Sequence, residues 1–347
     1  MKKIEFGLMS FADMAPESGN KGIHAQERIK NLLEEIKLSD ELGIDVYGVG
    51  EHHRPDYAVS SPTTILAAAA AVTKNIKLSS AVTVLSSEDP VRVYQQFATV
   101  DLISGGRAEI MAGRGSFIES FPLFGYNLQD YDELFEEKLN LLLEINQAEK
   151  VSWKGRHRAS INNLGVYPRA VEGSMPVWLA AGGTPASAIR AAKLELPLML
   201  AIIGGMPEQF TRFINLYKSS AMQLGKKEED IQVGINNHVF IGDDSKATAD
   251  TFFPYYAQMM DRVGRDRGWQ PMSRDQYEYM RSPKGSLMVG SVEEVTEKII
   301  YEHQLFGFTR FFAQASLGFV PHELTMRSIE LFGTKVVPEV KKRLGVI

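Results

Sequence analysis

Five times along the chain a proline stands just after an apolar run and just before a helical pattern. The pairs are Ser61-Pro62, Asp89-Pro90, Thr184-Pro185, Met206-Pro207 and Val320-Pro321. Proline suits the first helical turn, where its missing N–H has no partner to lose. Ser61, Asp89 and Thr184 stand before three of these prolines and are good N-cap residues. The punctuation therefore marks a repeated unit of strand, loop and capped helix. Strands read as residues 3–11, 45–53, 77–85, 107–117, 177–183, 196–205, 231–242 and 309–316. Helices are expected at 25–43, 61–74, 89–104, 130–148 and 322–345. Helical spacing turns Ile29, Leu32, Leu33 and Ile36 inward on the first, and Tyr131, Leu134, Phe135, Leu142 and Ile145 on the fourth. Gly43 and the pair Gly105-Gly106 end two of the helices.

Strands that are apolar throughout are buried on both faces, as in parallel sheets. Eight such units close most simply into an α/β (β/α)₈ barrel. An open doubly wound sheet is the other arrangement. The chain reads as a single domain over residues 1–347, with insertions at 150–176 and 245–290. The first carries a short hairpin, the second is polar, and 118–130 is a further loop. In a barrel, function collects in the loops that follow the strands.

Composition narrows the function. A net charge of -5 and a pI near 5.9 provide no basic face for nucleic acid. The 347 residues include no cysteine, which removes disulfides, thiolate metal sites and cysteine nucleophiles. No HExxH metal motif occurs and no metal is expected. The opening "MKKIEFGLMSFADM" has no cleavable apolar region, and no stretch is long enough to span a bilayer. A cytoplasmic protein is expected.

Four strand exits carry chemistry-bearing residues. The second strand runs into Glu51-His52-His53. Neighbours on a strand point to opposite faces, so one histidine of the pair faces the barrel axis. That argues against a chelating pair and for an acid–base or hydrogen-bonding histidine. The fourth runs into "AGRGSF" (112–117), where Gly113 and Gly115 give a ligand close approach to the backbone and Arg114 presents a fork suited to phosphate. An ordinary tight turn with an ion-paired arginine reads the same residues. The fifth runs into "AAGGTPAS" (180–187). Gly182, Gly183 and the helix start at Thr184 form an anion cradle, with the hydroxyls of Thr184 and Ser187 beside it. The third, "SSAVTVL" (79–85), leaves space at the strand end through Ser79, Ser80 and Ala81; Thr83 reads as an ordinary β-branched strand residue, with a hydrogen bond to a planar ring as the other reading. Met9 and Met111 are on strands, where methionine fills core gaps or touches a flat ligand. His238 reads as a core histidine near the mouth, and His157, His303 and His322 as surface groups.

"EHH", "AVTVLSSEDPVRVYQQFATVDLISGGRAEIMAGRGSF" (81–117) and "VWLAAGGTPAS" (177–187) together resemble the bacterial luciferase-like, flavin-dependent monooxygenases, almost end to end and in the same order. The family fold is the (β/α)₈ barrel. The resemblance implies FMN across the mouth, its phosphate on Arg114, Gly182, Gly183, Thr184 and Ser187. It places the ring over Ala81, Val82 and Thr83, at a non-proline cis peptide, with Met9, Met111 and Gly113 as the flavin wall. His52 matches the family's acid–base histidine, with His53 beside it. The implied reaction is oxygenation of a small organic substrate by reduced FMN and O₂ through a C4a-peroxyflavin. The reduced flavin would come from a separate NAD(P)H flavin reductase, and a homodimer is implied. Hydride transfer with F420 or FMN, and non-catalytic flavin binding, are the alternatives. The chain has Gly113 where luciferase carries a reactive cysteine, and 245–290 departs from luciferase where substrate lids lie. Neither light emission nor substrate class carries over.

Overall fold

Twelve strands follow one another along the described residues, which in this computed structural model are 3–14, 24–265 and 267–346. Residue 266, inside the second expected insertion, and both ends of the span 1–347 lie outside the described residues. The strands are β1 (Glu5–Ser10), β2 (Val46–Val49), β3 (Lys77–Ser80), β4 (Thr83–Val84), β5 (Ala108–Gly113), β6 (Lys150–Trp153), β7 (Ile161–Gly165), β8 (Val177–Ala181), β9 (Leu198–Ala201), β10 (Val233–Gly242), β11 (Met288–Ser291) and β12 (Arg310–Ser316). Eight of them, β1, β2, β3, β5, β8, β9, β10 and β12, pair in that order, all parallel. β12 returns to β1, with Glu5 opposite Arg310, and closes the ring. This is the expected (β/α)₈ barrel; the open sheet is excluded.

The helices fall where proline placed them. Pro62, Pro90 and Pro185 open the helices Pro62–Val72, Pro90–Ser104 and Pro185–Lys193. Pro207 opens a 3₁₀ turn, Pro207–Phe210, ahead of the helix Thr211–Gln223. Pro321 stands one residue before His322–Leu331. Of the three expected caps, only Asp89 accepts first-turn N–H bonds, from Val91 and Arg92. Ser61 and Thr184 make no cap bond: each hydroxyl meets another one turn on, Ser61 with Thr64 at 2.9 Å and Thr184 with Ser187 at 2.8 Å. The core lies between strands and helices. Leu32 and Ile36 of the helix Ala25–Glu41 are fully buried there, with Leu134, Phe135, Leu142 and Ile145 of Tyr131–Gln147. Each such side chain contributes roughly 1.5–3 kcal/mol by leaving water. Tyr131 is only partly buried and donates to the Gly115 carbonyl at 2.7 Å.

Three expectations change. The third strand is interrupted: β3 stops at Ser80, the Ala81–Val82 peptide is cis, and β4 pairs instead with the end of β5. The second strand stops at Val49, so Glu51, His52 and His53 lie in a loop and strand alternation does not orient them. The polar insertion 245–290 folds as two helices, Ser245–Arg265 and Arg274–Arg281, leading to β11. Phe252, Tyr256 and Met259, at helical spacing, pack with Tyr277 and Met280 into a second apolar cluster. β11 pairs with the far half of β10, which outruns the barrel rim (Val239 opposite Met288). The last helix is broken by a π-helical turn at Phe332–Val336. The hairpin expected in 150–176 is present as antiparallel β6 and β7. No helix among the described residues is long and apolar enough to cross a membrane.

Candidate functional site

A cavity of about 900 Å³ opens where the barrel strands end, roofed by the two helices of the 245–290 segment. Its floor is a small apolar cluster inside the barrel that includes Met9, Ala81, Met111, Met199 and Phe312. Glycines on both sides make room for the Ala81–Val82 step. A Cβ on Gly48 would lie 2.7 Å from the Ala81 Cβ, and one on Gly113 would lie 2.5 Å from Val82 Cγ2. Gly113 therefore admits the side chain of Val82, and it also lines the cavity. Val82 and Val84 both face the cavity, so Thr83 between them points away. The Thr83 hydroxyl is buried without a hydrogen-bond partner among the described residues.

His52 faces the cavity and His53 does not. The reason is packing. Phe11 passes over Gly50, where a Cβ would sit 2.2 Å from its ring, and the His52 N–H donates to the Val59 carbonyl at 3.0 Å. The His52 ring then stacks on Phe11 at 4.4 Å and meets Tyr57 at 4.4 Å and Phe117 at 4.6 Å edge-on. Burial, aided by the nearby charges of His53, Arg54 and Arg267, pushes its pKa down to about 3. The imidazole is neutral at ordinary pH. His53 reaches back to Glu51 at 3.4 Å and packs edge-on against Phe124. Burial raises the Glu51 carboxyl, opposed by His53 and the Val84 N–H.

The rim opposite the Ala81–Val82 step is backbone. Gly182 lines the cavity, and a Cβ there would meet nothing within 4 Å. Gly183, at φ +105°, needs a glycine's freedom to make the turn. Gly183, Thr184 and Ser187 stand beside the lining, not in it. Thr184 leaves the first helical turn without a side-chain cap, the open state an anion would fill. Arg114 lines the cavity but is already paired with Asp132 at 2.6 Å, its guanidinium over the Tyr131 ring.

Sequence reasoning passed over other residues. Gly204 and Gly205 after β9 repeat the glycine pair after β8, each followed one residue later by proline, and both line the rim. That repeat was a readable signal. Asp13, just beyond β1, lines the cavity; its Oδ2 is buried without a partner among the described residues. Burial raises its pKa to about 7 against the pull of Arg28, its own and Gly318 backbone N–H groups, and Arg262. Asn236, His238 and Gln314 form the throat, where His238 bonds the Tyr256 hydroxyl at 3.2 Å and is pushed by burial to about 4. The roof is tied to the His52 loop by charge. Arg262 meets Asp56 at 3.2 Å, Asp56 meets Arg54 at 3.3 Å, and Arg54 meets Glu119 at 2.8 Å. Outside the cavity, His157 converges with Asp130 and Glu133, but Glu133 is already bonded to Arg156 and His157. His322 bonds Glu34 at 3.0 Å, and His303 is half-buried against Phe308.

Residues 4–309 match the model of a family described as luciferase-like monooxygenase. An uncharacterized protein of Sinorhizobium fredii is 26% identical over 344 residues, covering 94% of this chain and 97% of that one. Among solved structures, monooxygenase RslO1 from Streptomyces bottropensis superposes with a TM-score of 0.83 at 24% identity, covering 97% of this chain and 99% of that one. The oxygenating constituent of 3,6-diketocamphane monooxygenase from Pseudomonas putida, solved in complex with FMN, gives 0.77 at 19% identity over 97% and 98% of the two chains.

Proposed function

The chain belongs to the luciferase-like monooxygenase family, and on that premise we propose that it is a flavin-dependent monooxygenase that uses reduced FMN and O₂ on a small organic substrate. One observation carries the reading. A flat apolar shelf at Ala81–Val82, above Met9 and Met111, faces a glycine rim at Gly182 and Gly204 where an added Cβ would meet nothing. A shelf and a rim of this kind fit a planar ring joined to an anionic tail. The FMN-containing structure with the same fold supports the choice of flavin. Gly182, Gly183, Gly204 and the uncapped helix start at Thr184 would hold the phosphate, with Ser187 steadying the Thr184 hydroxyl. Arg114 would join them by exchanging Asp132 for the phosphate. When bound, reduced FMN supplies the electrons that activate O₂.

The protein's own residues do the rest. The floor and the methionine-rich roof keep water from the reacting face. His52, held neutral, offers one ring nitrogen as a donor and the other as an acceptor to groups in the cavity. Its packing between Phe11, Tyr57 and Phe117 fixes its plane. His53 and Glu51 brace the loop from behind. Asp13, with its pKa near 7, is placed to exchange a proton with the cavity at neutral pH.

The test is a set of titrations followed by single-turnover oxidation. FMN should bind, riboflavin more weakly for want of the phosphate, and F420 weakly or not at all. NAD(P)H alone should leave bound FMN oxidised, as expected if a separate reductase supplies the reduced flavin. Hydride transfer is the better reading if F420 binds tightly and is reduced by a substrate without O₂. A mere flavin carrier is indicated if FMN binds but bound reduced FMN meets O₂ no differently from free reduced FMN.

A further inference from the structure

The charged side chains lining the cavity divide into spent and unspent. Arg114 is paired with Asp132, and Glu51 with His53. Asp13 sits in the field of Arg28 and Arg262. Arg267, at the end of the roof, has no carboxylate partner among the described residues. Among the described residues its guanidinium donates one hydrogen bond, to the Ser116 carbonyl at 3.3 Å, and lies over Phe117 at 5.7 Å and Trp269 at 5.2 Å. Guanidinium groups stacked on aromatic faces keep their in-plane N–H groups free for an anion.

The surroundings of that cation are flat and soft. Phe11, His52, Tyr57 and Phe117 form one contiguous ring cluster beside it. Met259, Met260, Met272 and Met280 come down from the roof helices and their connection. Aromatic rings favour stacked or edge-on partners, and methionine adapts its shape to them. A cavity of about 900 Å³ has room for a second flat molecule beside a cofactor. An aliphatic aldehyde or ketone would make no use of the unspent cation. A polar sugar would leave most of this lining without hydrogen bonds.

We propose that the substrate is a planar aromatic anion, its ring against the Phe11–His52–Tyr57–Phe117 cluster and its acidic group met by Arg267. The inference rests on the monooxygenase reading for its meaning, since it places the reacting ring beside His52. Its binding content stands apart from that reading. Arg267 acts here as a specificity residue.

Binding is measured calorimetrically on FMN-loaded and FMN-free protein with 2-naphthoate, its neutral isostere 2-naphthamide, and decanoate. The expected result is 2-naphthoate bound about tenfold or more tightly than 2-naphthamide, the worth of a charge-assisted hydrogen bond, and more tightly than decanoate, which has the charge but no flat ring for the aromatic cluster. Arg267→Gln should remove the preference over the amide, and Arg267→Lys should restore part of it. FMN affinity should be equal in wild type and Arg267→Gln. Equal binding of naphthoate and naphthamide overturns the proposal, as does decanoate binding as tightly as naphthoate. A loss of FMN affinity in Arg267→Gln, with riboflavin affinity unchanged, overturns it too, because Arg267 would then serve the cofactor's phosphate. Failure of the protein to bind FMN at all sinks the monooxygenase reading instead, while the naphthoate preference on FMN-free protein still decides this one.

Discussion

The two ends of the barrel are built from the same eight strands and treat charge in opposite ways. At the amino-terminal end, Glu5, Lys77 and Arg310 are the first residues of β1, β3 and β12, and Glu109 is the second of β5. Arg310 meets Glu109 at 2.7 Å and Glu5 at 2.9 Å, and Lys77 meets Glu5 at 2.7 Å. The Arg310 guanidinium also lies on the Trp178 ring at 4.1 Å. Burial works to raise the Glu5 carboxyl, but Arg310 and Lys77 together hold it below its ordinary value. At the carboxyl-terminal end, Asp13 Oδ2 and the Arg267 guanidinium have no ionic hydrogen-bond partner among the described residues, and His52 is kept neutral. One end satisfies its charges internally and closes the barrel. The other leaves polar groups waiting, which costs stability and makes a site.

Four measurements would break or sharpen that contrast. The largest effect is expected at the closed end. Arg310→Met takes away the closer cation of Glu109, which is only 2% exposed and keeps Lys77 at 3.4 Å, and should cost about 3 kcal/mol in denaturant unfolding. A loss below about 1 kcal/mol would show that the plug is not what closes that end. At the open end, on the proposed monooxygenase reading, His52→Gln should lower product formation from reduced FMN and O₂ roughly 10²-fold, about 2.7 kcal/mol of barrier. The melting temperature should barely move; a collapse in stability would make His52 structural.

The third concerns pH. The folded pKa of Asp13, about 7, lies above its unfolded value, so the native state holds the extra proton. Its contribution to stability is present at low pH and is lost as pH rises from about 4 to about 7, by at most about 1.4 kcal/mol per pH unit. Asp13→Asn should lack that slope. His52 and His238, pushed down by burial, act oppositely, losing stability as pH falls below about 6.5. Both are present in wild type and variant alike, so the difference curve isolates Asp13. The smallest effect is a control in the roof. Arg274 meets Asp250 at 2.6 Å, as close as Arg310 meets Glu109, but both partners are well exposed. Arg274→Ala should cost about 1 kcal/mol or less. A cost equal to that of Arg310→Met would mean that distance, not burial, sets the strength of these pairs.

Much of this was readable along the chain, for physical reasons that can be named. Proline after an apolar run has few places to go other than a first helical turn, so Pro62, Pro90 and Pro185 located their helices. A cap is less determined. Ser61 and Thr184 had the right chemistry, yet Thr64 and Ser187 took their hydroxyls. The roof read only as a polar insertion because its apolar residues, Phe252, Tyr256, Met259, Tyr277 and Met280, are diluted by charge and only converge once two helices fold together. The resemblance of the strand exits to a known family singled out His52, the histidine of the pair that faces the cavity, whereas strand alternation, applied past the true end of β2, had no bearing on it.

The sequence by itself determined the barrel, because eight apolar strands alternating with helices leave few ways to bury both faces. It also determined which loops meet at the mouth. Tertiary structure alone decided which groups in those loops are free. Arg114, prominent in the sequence, is taken by Asp132; Arg267, in the polar insertion, has no carboxylate partner among the described residues. Asp13 gains a pKa near 7 only from burial between residues far apart in the chain. Protonation and pairing depend on what surrounds a side chain in space, and one-dimensional spacing does not carry that.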